Sequence, residues 1–381
     1  MNAATATPVR LSLLAGAGVF GITYGLTSPL IALELTRRGY SESVVGLNAS
    51  MQALGVLTVA LWLPKITQAF GMRRVLLVAL LAVAAVLCAF PVLPWLWLWF
   101  PLRYALGIGS EGVMVTTETW ASQLSTDATR ATNMATYTAV VSVGMAIGPL
   151  LLGHVGSGDA MPFLIAATLA VIASALTLKL RANAPDIGAE TRTLPGGLRT
   201  LVQQVPVALA AAALNAALET AGLNFLPIYA MKLGWSEQGA TALVTTLLVG
   251  AIVLQLPIGW LGDRVDRRKL VVILGLLSTL GALAWPAAIA KPWLAHALLF
   301  AWGGAFVGLY TLMVTIVGSR YRGGDLVAVY GGMSLAFGVG ALVGPAIAGA
   351  AMAALRHGLP VFAAVACAAF TVYACLSRSR G

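Results

Sequence analysis

Charged residues are scarce in this sequence. They make up 9% of its 381 residues, whereas hydrophobic residues make up 59%. An ordinary soluble domain is about 25% charged, and a soluble protein of this composition would have too few polar side chains to cover its surface. The sequence therefore predicts an integral membrane protein.

Cysteine and histidine are also rare, with three residues of each. Cys88, Cys367 and Cys375 lie in apolar stretches, which argues against a disulfide framework or a metal site, and we expect them to be buried as small hydrophobic residues. None of the histidines has a ligand partner three or four residues away, and no GxxxxGK phosphate loop followed by Ser or Thr is present. We therefore expect no enzyme activity, no cofactor and no bound metal.

Twelve apolar runs follow one another along the chain, and each is long enough for a membrane-spanning helix of roughly 20 residues. Their expected bounds are 11–35, 44–63, 75–94, 97–120, 132–153, 160–180, 205–230, 239–261, 269–290, 293–317, 327–351 and 359–377. The longest polar stretch, 181–204, follows span six and contains the turn Pro195-Gly196-Gly197. We therefore predict two six-helix bundles, 1–180 and 205–381, joined by a linker over 181–204.

Lysine and arginine are unevenly distributed between the loops on the two sides of these spans. With the N-terminus inside, 17 of the 23 basic residues fall on the cytoplasmic side, five fall on the opposite side, and Arg103 lies within a span. Because such a bias sets orientation, we expect both termini and the linker to be cytoplasmic. The net charge of +10 is then a topology signal, and we expect no nucleic-acid partner.

The two halves of the sequence repeat one another. The sequence GYSE at 39–42 recurs as GWSE at 234–237, an offset of 195 residues, and the small-residue pattern of 144–153 recurs 196 residues later at 340–349. Because six spans separate the copies, both repeats have the same topology, as in parallel-repeat transporters. The chain is therefore predicted to be a duplicated six-helix unit.

Several motifs carry a resemblance to a known family. The sequence GWLGDRVDRRK at 259–269 resembles the loop signature of the major facilitator superfamily, whereas the first-half copy departs from it with Pro64 and Gln68. The sequence RYALGIG at 103–109 resembles the fourth-span motif of that family. Together with Glu118, with GLNFLPIY at 222–229 and with LVA at 326–328, these motifs are similar to those of the short YcaD-like bacterial permeases.

This resemblance covers the whole chain and implies an all-α integral membrane protein with twelve transmembrane helices in two pseudo-symmetric six-helix bundles. It also implies transport by alternating access. We therefore expect a monomeric secondary transporter of the bacterial inner membrane that moves a small organic solute, with protons as the coupling ion. In the family, the fifth-span pattern at 144–153 is associated with proton-driven antiporters, which favours efflux. The same pattern stands in both halves, so a structural hinge explains it as well. Import or facilitated movement of a metabolite and a non-transporting sensor are the alternatives.

Charged residues within spans point to function, because burying one near the bilayer centre costs at least about 2.5–3.5 kcal/mol on insertion scales. Arg103, Glu111 and Glu118 lie in span four within about 80° of one another on a helix of 100° per residue, and Glu219 lies in span seven. Removal from water favours the protonated form of a carboxylate. We therefore expect Glu111, Glu219 and Glu118 to be proton-coupling residues.

Each of these residues also has a structural explanation. Glu111 and Glu219 would be satisfied by Arg103 or by nearby hydroxyl groups, and Glu118 would anchor the following loop to Arg130 or to a backbone group. Arg103 is expected to pair with an acid or with an anionic substrate.

Polar residues of the spans are expected to contact the solute, although each also suits a hydrogen bond between helices. The expected substrate-binding residues are Arg103, Thr23, Tyr24, Thr27, Asn48, Gln52, Asn215, Asn224 and Tyr310. Asp263 is expected to pair with a basic residue or a helix N-terminus and so to latch one conformation, unless the basic residues of that loop only set topology. The expected gating residues are Asp263, Arg264, Arg267, Gly148, Pro149, Gly344 and Pro345.

Overall fold

The computed structural model describes residues 3–125, 129–178 and 202–378, in which helices alternate with short connections and no strand occurs. The helices of the first half are α1 (Ala3–Arg37), α2 (Glu42–Ala60), α3 (Leu63–Phe70), α4 (Met72–Val92), α5 (Leu96–Gln123), α6 (Arg130–Val155) and α7 (Met161–Leu178). Those of the second half are α8 (Pro206–Lys232), α9 (Glu237–Gly262), α10 (Arg267–Ala288), α11 (Pro292–Arg320), α12 (Gly323–Ala354) and α13 (Gly358–Arg378). The predicted linker 181–204, apart from 202–204, lies outside the described residues.

Each of the twelve predicted spans overlaps one of the long helices. Within the described ranges, eleven helices are long and apolar enough to cross a membrane. The twelfth span is α5, whose 28 residues are also long enough to cross at about 1.5 Å per residue. Its charged residues Arg103, Glu111 and Glu118 make it more polar than the others. The all-α, multi-pass membrane fold is therefore confirmed.

The connection between spans two and three differs from the prediction, which continued span two to residue 63. Instead α2 ends at Ala60 and the separate eight-residue helix α3 follows. Pro64 stands in the first turn of α3, where its missing N–H group costs nothing. Gly71 ends this helix with a positive φ of 79°, a conformation that favours glycine.

The chain divides into two compact units. The N-terminal unit contains Met1–Glu34 and Met51–Ala189, and the C-terminal unit contains Leu35–Ser50 and Glu190–Gly381. The segment Leu35–Ser50, which ends α1 and begins α2, is thus grouped with the helices of the second half. The bundle bounds 1–180 and 205–381 stay a prediction.

Glycines bring two pairs of helices into backbone contact in the N-terminal unit. A Cβ atom at Gly55 of α2 would collide with the carbonyl oxygen of Tyr104 in α5, and one at Gly107 of α5 would collide with that of Gln52. The pair α1 and α6 packs in the same way, since a Cβ atom at Gly148 would collide with the backbone of Leu26. Small residues of this kind allow close helix approach in membranes.

The C-terminal unit contains the same two close pairs. A Cβ atom at Gly250 of α9 would collide with the carbonyl oxygen of Phe300 in α11, and one at Gly303 would collide with that of Leu247. Gly340 of α12 stands equally close to α8. The internal repeat found in the sequence is therefore also a repeat of helix packing.

The segment Leu35–Ser50 is tightly packed within the C-terminal unit. Gly46 lies against the carbonyl oxygen of Pro345, and Gly349 lies against that of Glu42. The Ser50 hydroxyl donates a hydrogen bond of 2.6 Å to the carbonyl oxygen of Leu342. The carboxylate of Glu42 forms an ion pair with Lys232 at the end of α8. Four independent contacts therefore hold this segment against α8 and α12.

The prediction of three buried cysteines is wrong for two of them. Cys367 is buried, whereas Cys88 in α4 and Cys375 in α13 are exposed. An apolar thiol suits lipid contact as well as a protein interior, so an apolar sequence context does not distinguish the two environments.

Candidate transport site

The structure separates Arg103 from the two carboxylates of α5. Arg103 is only 1% exposed, and its Nη1 lies 3.5 Å from the carbonyl oxygen of Thr27 in α1. Glu111 and Glu118 are partly exposed and follow Tyr104 at intervals of seven residues, so the three side chains form a stripe along one face. The predicted common face is therefore divided into a buried basic part and a more open acidic part.

In the described part of the chain, neither Glu111 nor Glu118 is neutralised by a basic residue. Among the described residues, no ion pair or hydrogen bond reaches either carboxylate. Pairing of Glu111 with Arg103, one of the two explanations considered from the sequence, therefore does not occur. The side chain of Arg130, the expected anchor of Glu118, lies outside the described residues.

Tyr137 of α6 is a neighbour of these carboxylates that the sequence reasoning missed. It is 4% exposed, and its hydroxyl lies 3.0 Å from the Thr117 hydroxyl and 3.1 Å from the carbonyl oxygen of Met114. It interacts electrostatically with both Glu111 and Glu118. A lone tyrosine among small and apolar residues was the available signal, but such a residue is equally common at the membrane interface.

Three of the predicted polar residues of α1 and α2 are buried in the N-terminal unit with unsatisfied side-chain groups. The hydroxyls of Thr23 and Thr27 and the Nε2 atom of Gln52 are buried without a hydrogen-bond partner in the described part of the chain. Buried polar groups are nearly always satisfied by protein or water, so this group has the capacity to bind a solute or water molecules. Tyr24 is partly exposed and stacks on Phe20 at 5.9 Å between ring centroids.

In the C-terminal unit, the structure brings Asn215, Glu219 and Tyr310 together. The Nδ2 atom of Asn215 lies 3.5 Å from Oε2 of Glu219, one helical turn away in α8. The Tyr310 hydroxyl interacts electrostatically with Glu219. Phe337 of α12, which the sequence did not single out, lies 6.4 Å from the Tyr310 ring.

Two further predicted substrate-binding residues are buried elsewhere. Asn224 donates a hydrogen bond of 2.8 Å to the carbonyl oxygen of Thr220 in its own helix. Asn48 is 1% exposed and belongs to the segment Leu35–Ser50 of the C-terminal unit. A contact of either residue with a solute stays a prediction.

The loop between α9 and α10 places its acidic residues in two different roles. Asp263 forms an ion pair of 2.9 Å with Arg267. A basic residue was one of the two partners expected for Asp263, the other being a helix N-terminus. Asp266, not Asp263, caps α10 by accepting hydrogen bonds from the backbone N–H groups of Arg268 and Lys269. Arg264 stacks over the Trp260 ring at 3.8 Å. The gating role of these residues stays a prediction.

The predicted hinge residues lie inside long helices. Pro149 lies within α6 and Pro345 within α12, each directly after a glycine that contacts a neighbouring helix. A Cβ atom at Gly344 would overlap the backbone of Ala217 in α8, as one at Gly148 would overlap that of Leu26. Both motifs therefore combine a close helix contact with a missing backbone donor.

Known proteins are similar to this chain in sequence and in fold. The model of the Major Facilitator Superfamily matches residues 13–248 and 208–380. The uncharacterized MFS-type transporter YfkF of Bacillus subtilis is 25% identical over 336 residues, covering 87% of this chain and 85% of its own length. The uncharacterized MFS-type transporter YcaD of Escherichia coli is 25% identical over 383 residues, covering 98% and 96%.

Two solved structures have the same fold. The nucleoside transporter NupG has a TM-score of 0.79 at 12% identity, covering 97% of this chain and 98% of its own. The D-xylose-proton symporter has a TM-score of 0.74 at 15% identity, covering 96% and 97%. With the family model matching nearly the whole chain, this protein belongs to the Major Facilitator Superfamily.

Proposed function

We propose that this chain is a proton-coupled secondary transporter that exports a small organic solute by alternating access. In this proposal it acts as a monomer in the bacterial inner membrane, with both termini in the cytoplasm. The observation that carries the proposal is a set of three partly exposed carboxylates within membrane-spanning helices, none of which has a basic partner among the described residues: Glu111, Glu118 and Glu219.

An ionised carboxylate without a partner is costly inside a membrane. A proton removes that cost when it binds, and a carboxylate that meets water in one conformation and is shielded in another will bind and release a proton during each cycle. Each unit carries at least one such group. Proton movement therefore explains the presence of all three carboxylates with one function.

The direction of transport is inferred from the fifth span. The fifth-span pattern around Gly148 and Pro149 resembles that of proton-driven antiporters, which favours export. The named relatives include a symporter, but its 15% identity supports only the shared fold.

The test is a pH-dye assay in sealed proteoliposomes that contain the full chain, with a panel of amphiphilic amines, sugars and small carboxylates. We expect at least one compound to move protons in the wild type, and Glu111→Gln or Glu219→Gln to abolish that movement. Asp325→Asn is the matched control, because this acid is exposed at the start of α12, and it should have no effect.

The other outcomes distinguish the alternatives. Solute that equilibrates without proton movement would identify a facilitator and exclude proton coupling. Binding without any movement of solute or protons would indicate a sensor.

A further inference from the structure

Glu219 is the last partly exposed residue of α8 before a long buried stretch. Ala213 and Ala217 before it are also partly exposed, whereas the residues from Thr220 to Ala230 are all buried. Asn215 of the same helix face and Tyr310 of α11 interact with Glu219, and Phe337 of α12 lies against the Tyr310 ring. We call these four residues the Glu219 cluster; all belong to the C-terminal unit.

The polar atoms of this cluster are mostly acceptors. Asn215 is 5% exposed, and its Nδ2 atom faces the Glu219 carboxylate. An amide donates hydrogen bonds only through its nitrogen, so this orientation lets Asn215 donate to the acid. The Oδ1 atom of Asn215 is therefore directed elsewhere, and it is buried without a hydrogen-bond partner in the described part of the chain. This oxygen atom and the remaining lone pairs of the carboxylate are both acceptors, so a ligand that donates hydrogen bonds would satisfy them.

The charge of the cluster selects the ligand further. No described Lys, Arg or His forms an ion pair with Glu219, so an anionic ligand would be repelled. A neutral donor such as a sugar hydroxyl would leave the carboxylate charge uncompensated. A ligand that satisfies both the acceptors and the charge is a cation with N–H groups.

The aromatic residues of the cluster fit the same ligand. The rings of Tyr310 and Phe337 are partly exposed, and their planes are inclined by 59°. Aromatic faces attract cations and also accept apolar substituents. An ammonium group attached to an apolar or aromatic body would place its charge at Glu219 and its body against these rings.

We propose that the Glu219 cluster binds the ammonium group of a small amphiphilic amine, and that this amine and a proton occupy Glu219 in turn. The inference rests on the proposed transport function and names its substrate class. The described helices α9, α11, α12 and α13 pack against α8. Among the described residues of these helices, Tyr310 is the titratable group that interacts with Glu219, and Tyr330 of α12 interacts in turn with Tyr310. We therefore assign the proton exchange to the carboxylate of Glu219.

The experiment uses three ligands of nearly the same shape and different charge: phenethylamine, phenylacetamide and phenylacetate. Their binding to the purified full chain in nanodiscs is measured by isothermal titration calorimetry. We expect phenethylamine to bind at least about tenfold more tightly than the other two. Because a proton competes for the same carboxylate, its affinity should fall as the pH is lowered, and binding should release protons into a weakly buffered solution.

Variants locate the site. Glu219→Gln should weaken phenethylamine binding at least about tenfold, and Asn215→Leu should weaken it by a smaller factor because it removes a neutral amide and leaves the carboxylate charge in place. Asp325→Asn should leave it unchanged. If Glu219→Gln does not fold, Glu219→Asp retains the charge on a shorter side chain and should bind phenethylamine more weakly than the wild type, with the same order of preference among the three ligands.

The results separate this inference from the proposed function. Equal binding of the three ligands, tighter binding of phenylacetate, or binding that is insensitive to both Glu219 variants would overturn the amine site, even if protons still move with some other solute in proteoliposomes. Binding of phenethylamine that depends on Glu219, without proton movement in proteoliposomes, would support the site and contradict proton-coupled transport.

Discussion

The two units use glycines at equivalent positions to bring equivalent helices together. Gly55 and Gly250 stand 195 residues apart, Gly107 and Gly303 stand 196 apart, and each lies against a carbonyl oxygen of the neighbouring helix. The charged residues show no such correspondence. The position 196 residues before Glu219 is Thr23, in the unit that contains the buried Arg103. Duplication has therefore preserved the packing of the helices, whereas the polar chemistry differs between the units.

The largest effects should come from the shared packing, and they should be equal in the two units. Gly55→Ala and Gly250→Ala would each force a methyl group into a backbone carbonyl, and overpacking of this kind costs about 1–3 kcal/mol. Both variants should lower the thermal unfolding midpoint in detergent and the yield of monodisperse protein. Gly331→Ala is the control, because nothing lies within 4 Å of its Cβ position. Because alanine has a higher helix propensity than glycine, the Gly331→Ala variant should be neutral or slightly stabilising. A clear loss in only one unit would contradict the equivalence.

The next effect should be confined to the N-terminal unit. Arg103→Lys should reduce solute transport about tenfold, because a lysine lacks the planar fork of donors that Arg103 presents beside Thr27. The position 196 residues later is Leu299, an apolar core residue. Leu299→Met, which nearly conserves volume, should leave transport unchanged. Initial rates of uptake in proteoliposomes measure both. An equal loss in the two variants would mean that Arg103 acts through packing alone.

A smaller effect is expected at the hydroxyl of Tyr137. Tyr137→Phe removes its contacts with Thr117 and with the Met114 carbonyl, and the loss of a buried hydrogen bond costs about 0.5–1.5 kcal/mol. Thr117 keeps its bond of 2.7 Å to the Val113 carbonyl, which limits the damage. Thermal unfolding should show this decrease, whereas Tyr373→Phe, at a 40% exposed tyrosine, should show none. No difference between the two would indicate that the Tyr137 hydroxyl contributes nothing to stability.

The smallest effect should be found at the loop between α9 and α10. Asp263 is 69% exposed in its ion pair with Arg267, and exposed pairs contribute at most about 0–1 kcal/mol. Asp263→Asn should therefore barely change thermal stability. Asp266→Ala should cost more, about 1 kcal/mol, because it removes the cap of α10. The opposite ranking would show that the ion pair is a structural latch in the resting protein.

The sequence predicted the spans and the repeat because lipid imposes long apolar runs and close helix packing requires small residues at regular positions. It also pointed to Glu111, Glu118 and Glu219, since a carboxylate is costly inside a membrane. It did not reveal Phe337, because an aromatic residue suits both lipid and a binding site. The separate burial of Arg103 was also missed. Angular position on a helix does not specify which neighbouring helix covers a side chain.

The packing of the segment Leu35–Ser50 has a consequence for the biosynthesis of the protein. Ser50 and Leu342, which share a hydrogen bond, are 292 residues apart in the chain. A ribosome that adds about 5–20 residues per second needs roughly 15–60 s to make that length. During this time the beginning of α2 is already in place, while α12, against which Gly46 packs, does not yet exist. The early helices must therefore persist in the translocon environment with this surface uncovered. The contacts of the segment Leu35–Ser50 with α12 are among the last to form.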